Sequence, residues 1–557
     1  MRIAGISLSF LNVVNRRKSA SAVAGTAPEF GRVLKPYCDY DNPSSRRLKT
    51  FLLAAVLGYC FLSGFGFALI GQYLPVVFLM PIAALAMAVI WALPDSRKAP
   101  IDTLWAWVVA FVVCLVVWPN YIALALPGLP WITMARLTGF PLTAVLLVCV
   151  STSKTLRSRI ATAVRASPLV WKLLVGFVLI SATSVIYSIR PTFSADKFIL
   201  AQITWTALFF TGVYVFLTPG RVVKMAAILW AMALVVGAIG VWEWRAQHVL
   251  WAGHIPSFLQ IDDPSVSATL EGNRRTGQWG VYRVVSTFST PLGLGEYMAI
   301  VMPIIMQFAM GRFGWAVRVA AWLSALFALF VAQISGSRLG MVGSLLAIVF
   351  YIGIWASLKW RRERQSILPP FIVISYPTLT MIGVVAISSI GRLRHIVWGD
   401  GSQGFSDQGR MDQWSMGWPK ILSRPIGYGF GMAGDALGYS SPGGFLTIDS
   451  YYLSVLMEIG IVGFVFYYGM FAASIFYMAN SIYRFRLKTL ELEFIIALMI
   501  SLLNFLIIKS VFSQQDNHPL VFLILGMSVA LIYRVTTGDP GVAPGRTGLS
   551  AVAGVRV

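Results

Sequence analysis

Apolar residues in this chain come in continuous runs rather than in alternation with polar ones, so the pattern predicts helices and disfavours a membrane β-barrel. Runs of about 20 residues suffice to cross a hydrocarbon core as α-helix. About fourteen such runs (12–14) are read near 50–70, 72–93, 103–122, 131–150, 168–187, 197–217, 223–244, 291–310, 313–332, 338–358, 369–390, 450–479, 491–510 and 518–535. Polar breaks between them are short except at 245–290 and 391–449, two long loops, and function concentrates in such loops. Residues 1–49 are polar, basic and Ser-rich and carry no cleavable signal, which predicts a disordered tail; 536–557 form a second tail. The expected fold is an all-α polytopic membrane protein, with spans at 50–244, 291–390 and 450–535 separated by the two loops.

Composition strengthens this picture. The 557 residues are 57% hydrophobic and 12% charged, with a mean hydropathy of +0.74, too little polar surface for a soluble protein of this length. A net charge of +22 raises nucleic acid as a partner, but its distribution points elsewhere. RRK at 16–18, Arg97 and Lys98, KTLRSR at 154–159, Arg221 and Lys224, Arg312, KWRRER at 359–364 and RFRLK at 484–488 all fall on alternate connections. The positive-inside rule makes that side cytoplasmic, with both termini, and puts the two long loops and the link SGSR (335–338) on the outer face. Cys60, Cys114 and Cys149 lie in apolar runs and Cys38 in the tail, so no disulfide framework is expected.

The outer-face segments hold the candidate chemistry. Arg283 precedes a run whose first turns carry Gly293, Gly295 and Glu296; it either binds an anion or snorkels to lipid phosphates. The glycines either leave room for a ligand or are ordinary membrane-helix residues. Arg338 opens a span, where the macrodipole is already positive. An Arg beside free N–H groups suits phosphate or pyrophosphate; the alternative is an ion pair with Glu296 or another acid. In the second loop, Trp414 and Trp418 suggest an amphipathic helix at the membrane surface, as a sugar platform or an interfacial belt, and Arg410 and Arg424 are further phosphate candidates. Asp449 immediately precedes a span, as a helix cap would, and Glu458 lies about 13 Å deeper, facing the bundle interior. A Walker loop, HExxH and GxSxG are all missing. The four histidines (His248, His254, His395, His518) lack metal-ligand spacing, so neither metal nor cofactor is expected.

Taken together, YRVVSTFSTPLGLGEYMA, ISGSRLG, Arg410-x3-Trp414 followed by RPIGYGFG, and DSYYLSVLMEIGIVG resemble the O-antigen ligase and polymerase (Wzy-type) superfamily over roughly 280–465. The resemblance implies a GT-C-like glycosyltransferase of the bacterial inner membrane with a periplasmic active site. Its donor would be an undecaprenyl-diphosphate-linked oligosaccharide, with Arg283 and Arg338 on the pyrophosphate and Glu296, Arg410, Arg424, Trp414 and Trp418 about the substrate. A chain-length regulator (co-polymerase) is implied as a partner; membrane lipids are the surroundings, and nucleic acid is not expected.

One departure narrows the assignment. Ligases of the superfamily begin a corresponding motif with a His that acts as base, and here Asp449 stands in its place, followed by Ser450. A free Asp near pKa 3.9 is a weaker base at neutral pH than a His near about 6.5. The substitution favours a polymerase of exopolysaccharide, capsule or O-antigen repeat units over a ligase to lipid A-core. A transporter or flippase is the rival from another class, but it predicts mid-membrane ionisable groups and inverted repeats, whereas these residues gather at a rim.

Overall fold

The computed structural model describes residues 51, 54–58, 84–91, 99–125, 131–261, 264–271, 273–274, 282–391, 402–440, 446–487 and 489–538. The expected spans 50–70 and 72–93 lie for the most part outside these residues, as do the tails at 1–49 and 539–557. Among the described residues, nine helices are long and apolar enough to cross a membrane, and three shorter apolar helices accompany them. Together they fall on every expected span from 103–122 onward.

In chain order the helices are α1 (Ile101–Val117), α2 (Met134–Thr152), α3 (Lys154–Arg165), α4 (Pro168–Ile186) and α5 (Pro191–Ala201). A π-helical turn, Gln202–Thr206, joins α5 to α6 (Ala207–Val215). Next come α7 (Arg221–Ala246), the short α8 (Pro264–Leu270), α9 (Pro291–Met310), α10 (Trp315–Ile334), α11 (Arg338–Arg362) and α12 (Leu368–Ser389). The second long loop contributes α13 (Ser402–Ser423) and α14 (Ala433–Leu437), and α15 (Tyr451–Arg484), α16 (Phe494–Lys509) and α17 (His518–Thr537) close the bundle. Two antiparallel ladders of two residues a strand, Ala123–Leu124 with Ile132–Thr133 and Asn273–Arg274 with Tyr282–Arg283, stiffen connections between helices.

α9 is the axis of the fold. Its hydrophobic window is 94% buried, against 28% for α4, as expected for a helix apolar on all sides. Small residues let its neighbours approach. A Cβ on Gly340 of α11 would stand 2.7 Å from the Gly295 Cα, and one on Gly295 would stand 2.6 Å from the Ser337 Oγ. Of the two readings of these glycines, Gly295 thus fits the ordinary membrane-helix one, its space filled by helix packing. Asn504 of α16 ties the crossing together, donating to the carbonyls of Ala299 and Gly343 at 2.9 Å each.

α15 is broken at Gly460, whose φ of 71° and ψ of −172° interrupt the helix. The turn Arg424–Gly431 inserts into the break. Tyr428 and Gly429 donate their N–H groups to the carbonyls of Met457 and Glu458, and Ile461 donates to Pro425. Glycines are needed on both sides: a Cβ on Gly460 would meet the Pro425 carbonyl, and one on Gly427, at φ 89°, the Glu458 carbonyl. Glu458 is buried, accepts from the Ser454 Oγ at 3.0 Å and takes the Gly431 N–H. The motifs RPIGYGFG and MEIG, about thirty residues apart in sequence, thus form a single latch.

The helix ends sort into two faces. At one, Arg221 pairs with Asp102 (2.6 Å), Arg312 with Glu493 (2.9 Å) and Arg534 with Glu491 (2.8 Å). At the other, the ends of α7 and α10 meet the starts of α9, α11, α15 and α17.

Candidate functional site

Residues 282–290 run along this second face and are held from below. Glu243, in the last turn of α7, accepts from the Tyr282 hydroxyl (2.8 Å) and from the N–H groups of Val285 (3.0 Å) and Ser286 (2.6 Å). Ser286 has a positive φ of 54°, unusual for a side-chain-bearing residue, and its Oγ is fixed on the Val236 carbonyl at 2.9 Å. This anchoring lays Arg283 over the SGSR turn. Val284 N–H donates to Ile334 O and Arg283 Nε to Ser335 O, both at 3.3 Å, and Gly336 (φ 62°) has no side chain to obstruct the guanidinium.

Arg338 begins α11 two residues later, half-buried, with Ser337 as the helix cap: its Oγ accepts from the Gly340 N–H at 3.1 Å. The alternative reading of Arg338, an ion pair with Glu296, is not what the fold makes. Glu296 is fully buried, and its two oxygens lie 2.8 and 3.0 Å from the Lys509 Nζ, with Asn517 donating to one of them at 3.2 Å. Its neighbours explain the choice. A carboxylate one turn inside α9 is out of water, and only a cation buried with it offsets that desolvation.

The loop between α16 and α17 touches the sequence neighbours of both Arg338 and Asp449. Its Phe512 packs with Leu339, next to Arg338 in sequence, while Ser510 O accepts the Ser450 Oγ at 2.7 Å. Asp516 in this loop accepts from the Ser289 N–H (3.3 Å) and Oγ (2.5 Å). Burial raises its carboxyl above the usual aspartate range, opposed first by those hydrogen bonds and then by Lys509.

Asp449 was expected as a possible helix cap, and the structure corrects this. Ser450 occupies the cap position of α15, without a side-chain capping bond. The Asp449 carboxylate turns to α13 instead: Gln413 Nε2 donates to its Oδ2 at 3.2 Å, and the Gln413 Oε1 accepts the Asp449 N–H at 2.8 Å. Arg410, one helical turn before Gln413, is a positive charge acting on it. Burial raises the Asp449 carboxyl above its ordinary value, and Arg410 and the Gln413 hydrogen bond pull part of that back. An acid so placed is a stronger base than a free Asp and is aimed by a rigid amide.

The remaining expected contacts divide. Trp414 is half-buried against the cluster of Ile421, Leu437, Leu453 and Met457, whereas Trp418 is exposed. Arg424 donates to the Tyr187 carbonyl at 2.6 Å, its guanidinium 5.2 Å from the centre of the Tyr428 ring and 5.7 Å from that of Tyr187. It clamps the RPIGYGFG turn to the end of α4.

Several polar residues of this region escape a reading of the sequence alone. Lys509 could have been found: a lone Lys closing the run IIALMISLLNFLII implies a buried partner. Gln413 gives no signal, being one polar residue in a polar segment. His518 sits fully buried at the start of α17, stacked on Trp205 (centroids 5.1 Å apart) and edge-on to Tyr451 (4.6 Å), and neither ring nitrogen has a hydrogen-bond partner among the described residues. Among the described residues, no three His, Cys, Asp or Glu are placed to hold a metal ion.

Residues 323–468 match the family model described as O-antigen ligase. The matched segment contains SGSR, α11, α13, the latch and Asp449, and it supports the resemblance to the O-antigen ligase/polymerase superfamily that the motifs carry. No curated protein matches the chain.

Proposed function

On the footing that residues 323–468 are those of the O-antigen ligase/polymerase superfamily, we propose that this protein polymerises lipid-linked glycan repeat units on the outer face of the cytoplasmic membrane. Donor and acceptor are both carried on undecaprenyl diphosphate. The acceptor hydroxyl attacks the anomeric carbon of the donor glycan, forming a C–O bond as the bond to the diphosphate breaks. The leaving diphosphate takes the electron pair, and the hydroxyl proton passes to Asp449 or to the diphosphate. Arg283 and Arg338 stabilise the charge developing on the diphosphate. Gln413 and Arg410 set the geometry and basicity of Asp449. Glu296 acts at one remove, by keeping Lys509 charged and in place.

The observation that carries this reading is the Asp449–Gln413 pair: a half-buried carboxylate released from capping and held by a side chain of a loop helix, at the position where ligases carry His. The description of the matched family favours a second reading, transfer of a finished chain to lipid A-core. The deciding experiment supplies purified enzyme with lipid-linked repeat units alone, and separately with lipid A-core, and resolves the products by size. A ladder from repeat units alone is expected. Transfer only to lipid A-core selects the ligase, and no covalent product with either acceptor rejects glycosyl transfer.

A further inference from the structure

At the face opposite the candidate site, the ends of α9, α11 and the start of α16 enclose a cavity of about 290 Å³. Its floor is polar and buried: the Tyr351 hydroxyl donates to the Gln307 Oε1 at 2.5 Å, and both residues are almost fully covered. Its rim carries three cations, Arg312, Lys359 and Arg362, and two carboxylates, Glu363 and Glu493. Arg312 is neutralised by Glu493 at 2.9 Å, and Lys359 loosely by Glu363 at 3.8 Å. Arg362 is exposed and pairs with no carboxylate among the described residues, which leaves the rim one positive charge in excess. Met310, Leu358 and Ile496 supply an apolar wall. Trp315 and Trp360, both exposed, flank the same helix ends as interfacial residues do.

We propose that this cavity binds the headgroup of an anionic phospholipid, with the phosphodiester on Arg362 and Lys359 and the acyl chains running along the apolar wall. A phosphodiester carries one negative charge, matching the excess. The volume lies near the lower end for small-molecule sites, so it takes a headgroup and not a whole lipid. Basic pockets between membrane helices recognise lipid phosphates in this way, and a free anion would gain nothing from the apolar wall. α11 spans about 37 Å from Arg338 to Arg362, so the site is separate from the candidate chemistry.

The test uses the full-length protein purified in detergent and exposed to vesicles of phosphatidylcholine with or without phosphatidylglycerol, with retained lipid counted by native mass spectrometry. Phosphatidylglycerol is expected to be retained several-fold over phosphatidylcholine. Arg362→Gln should reduce that preference by about half or more, and Arg362→Glu should abolish it. Because Arg362 is exposed, both variants should elute like the wild type on gel filtration. Equal retention of the two lipids by the wild type, or an unchanged preference in Arg362→Glu, would overturn the proposal. So would displacement of phosphatidylglycerol by soluble glycerol phosphate at equal concentration, which would identify a free-anion site.

Discussion

Asp449 and His518 show how far a residue's type is from its role. In sequence, Asp449 is a favoured cap; in the fold, its carboxylate belongs to Gln413 and its titration to the low-dielectric rim. Transfer that needs the carboxylate as base should fall as pH drops through its raised pKa, and that acidic limb should lie above the range of a free Asp. Removing the Gln413 hydrogen bond removes one of the influences lowering this pKa, so Gln413→Ala should move the limb to still higher pH. Asp449→Asn should lose about a hundredfold or more in turnover together with the limb, while the protein remains in the membrane. A pH–rate profile on lipid-linked substrate reads both, and an unchanged limb in Gln413→Ala would remove Asp449 from the base role. His518 makes the opposite prediction. Both of its nitrogens are unpartnered among packed rings, so His518→Phe should still fold and lose about 1–3 kcal/mol of thermal stability in detergent, the cost of adding volume to a packed site.

At the scale of elements, two devices hold the site. One is the buried pair of Glu296 in α9 and Lys509 in α16. Lys509→Met leaves a carboxylate without its cation and should cost about 3–5 kcal/mol, whereas the double variant Glu296→Gln with Lys509→Met should recover most of that loss. Thermal unfolding of the purified variants checks this. The other is the latch of RPIGYGFG in the break of α15. Gly460→Ala adds a methyl against the Pro425 carbonyl at a positive φ, so it should expel the turn and reduce the yield of folded protein sharply; Gly434→Ala, in open space, is the control. Both devices were half-legible. The glycines and the lone Lys stand out in the sequence, but a glycine does not name the carbonyl it makes room for, nor a Lys its acid.

For the whole molecule, the two faces are the main result. Basic helix ends meet one another through Arg312, Arg534 and Arg361, whose Nη1 donates to the Tyr483 carbonyl, and the chemistry-bearing segments meet at the other end. If the basic face is cytoplasmic, a cysteine at Ser415 should react with an impermeant maleimide in spheroplasts and one at Arg364 only after permeabilisation; the reverse pattern would invert the orientation.

Hydrophobic run length and the side on which Lys and Arg accumulate depend only on local sequence and the thickness of a bilayer. The apolar helices of membrane-crossing length, from Ile101–Val117 onward, could therefore be read from local sequence alone. Side-chain pairing depends on which helices touch, and that is set by packing around α9, where backbones approach at Gly295 and Gly340. That Glu296 belongs to Lys509 and not to Arg338, that Arg424 clamps a turn, and that Asp449 faces Gln413 came from the packing of the helices. In each case a buried polar group takes whichever partner the fold brings within hydrogen-bond distance, because leaving it unpaired out of water costs more than any local preference returns.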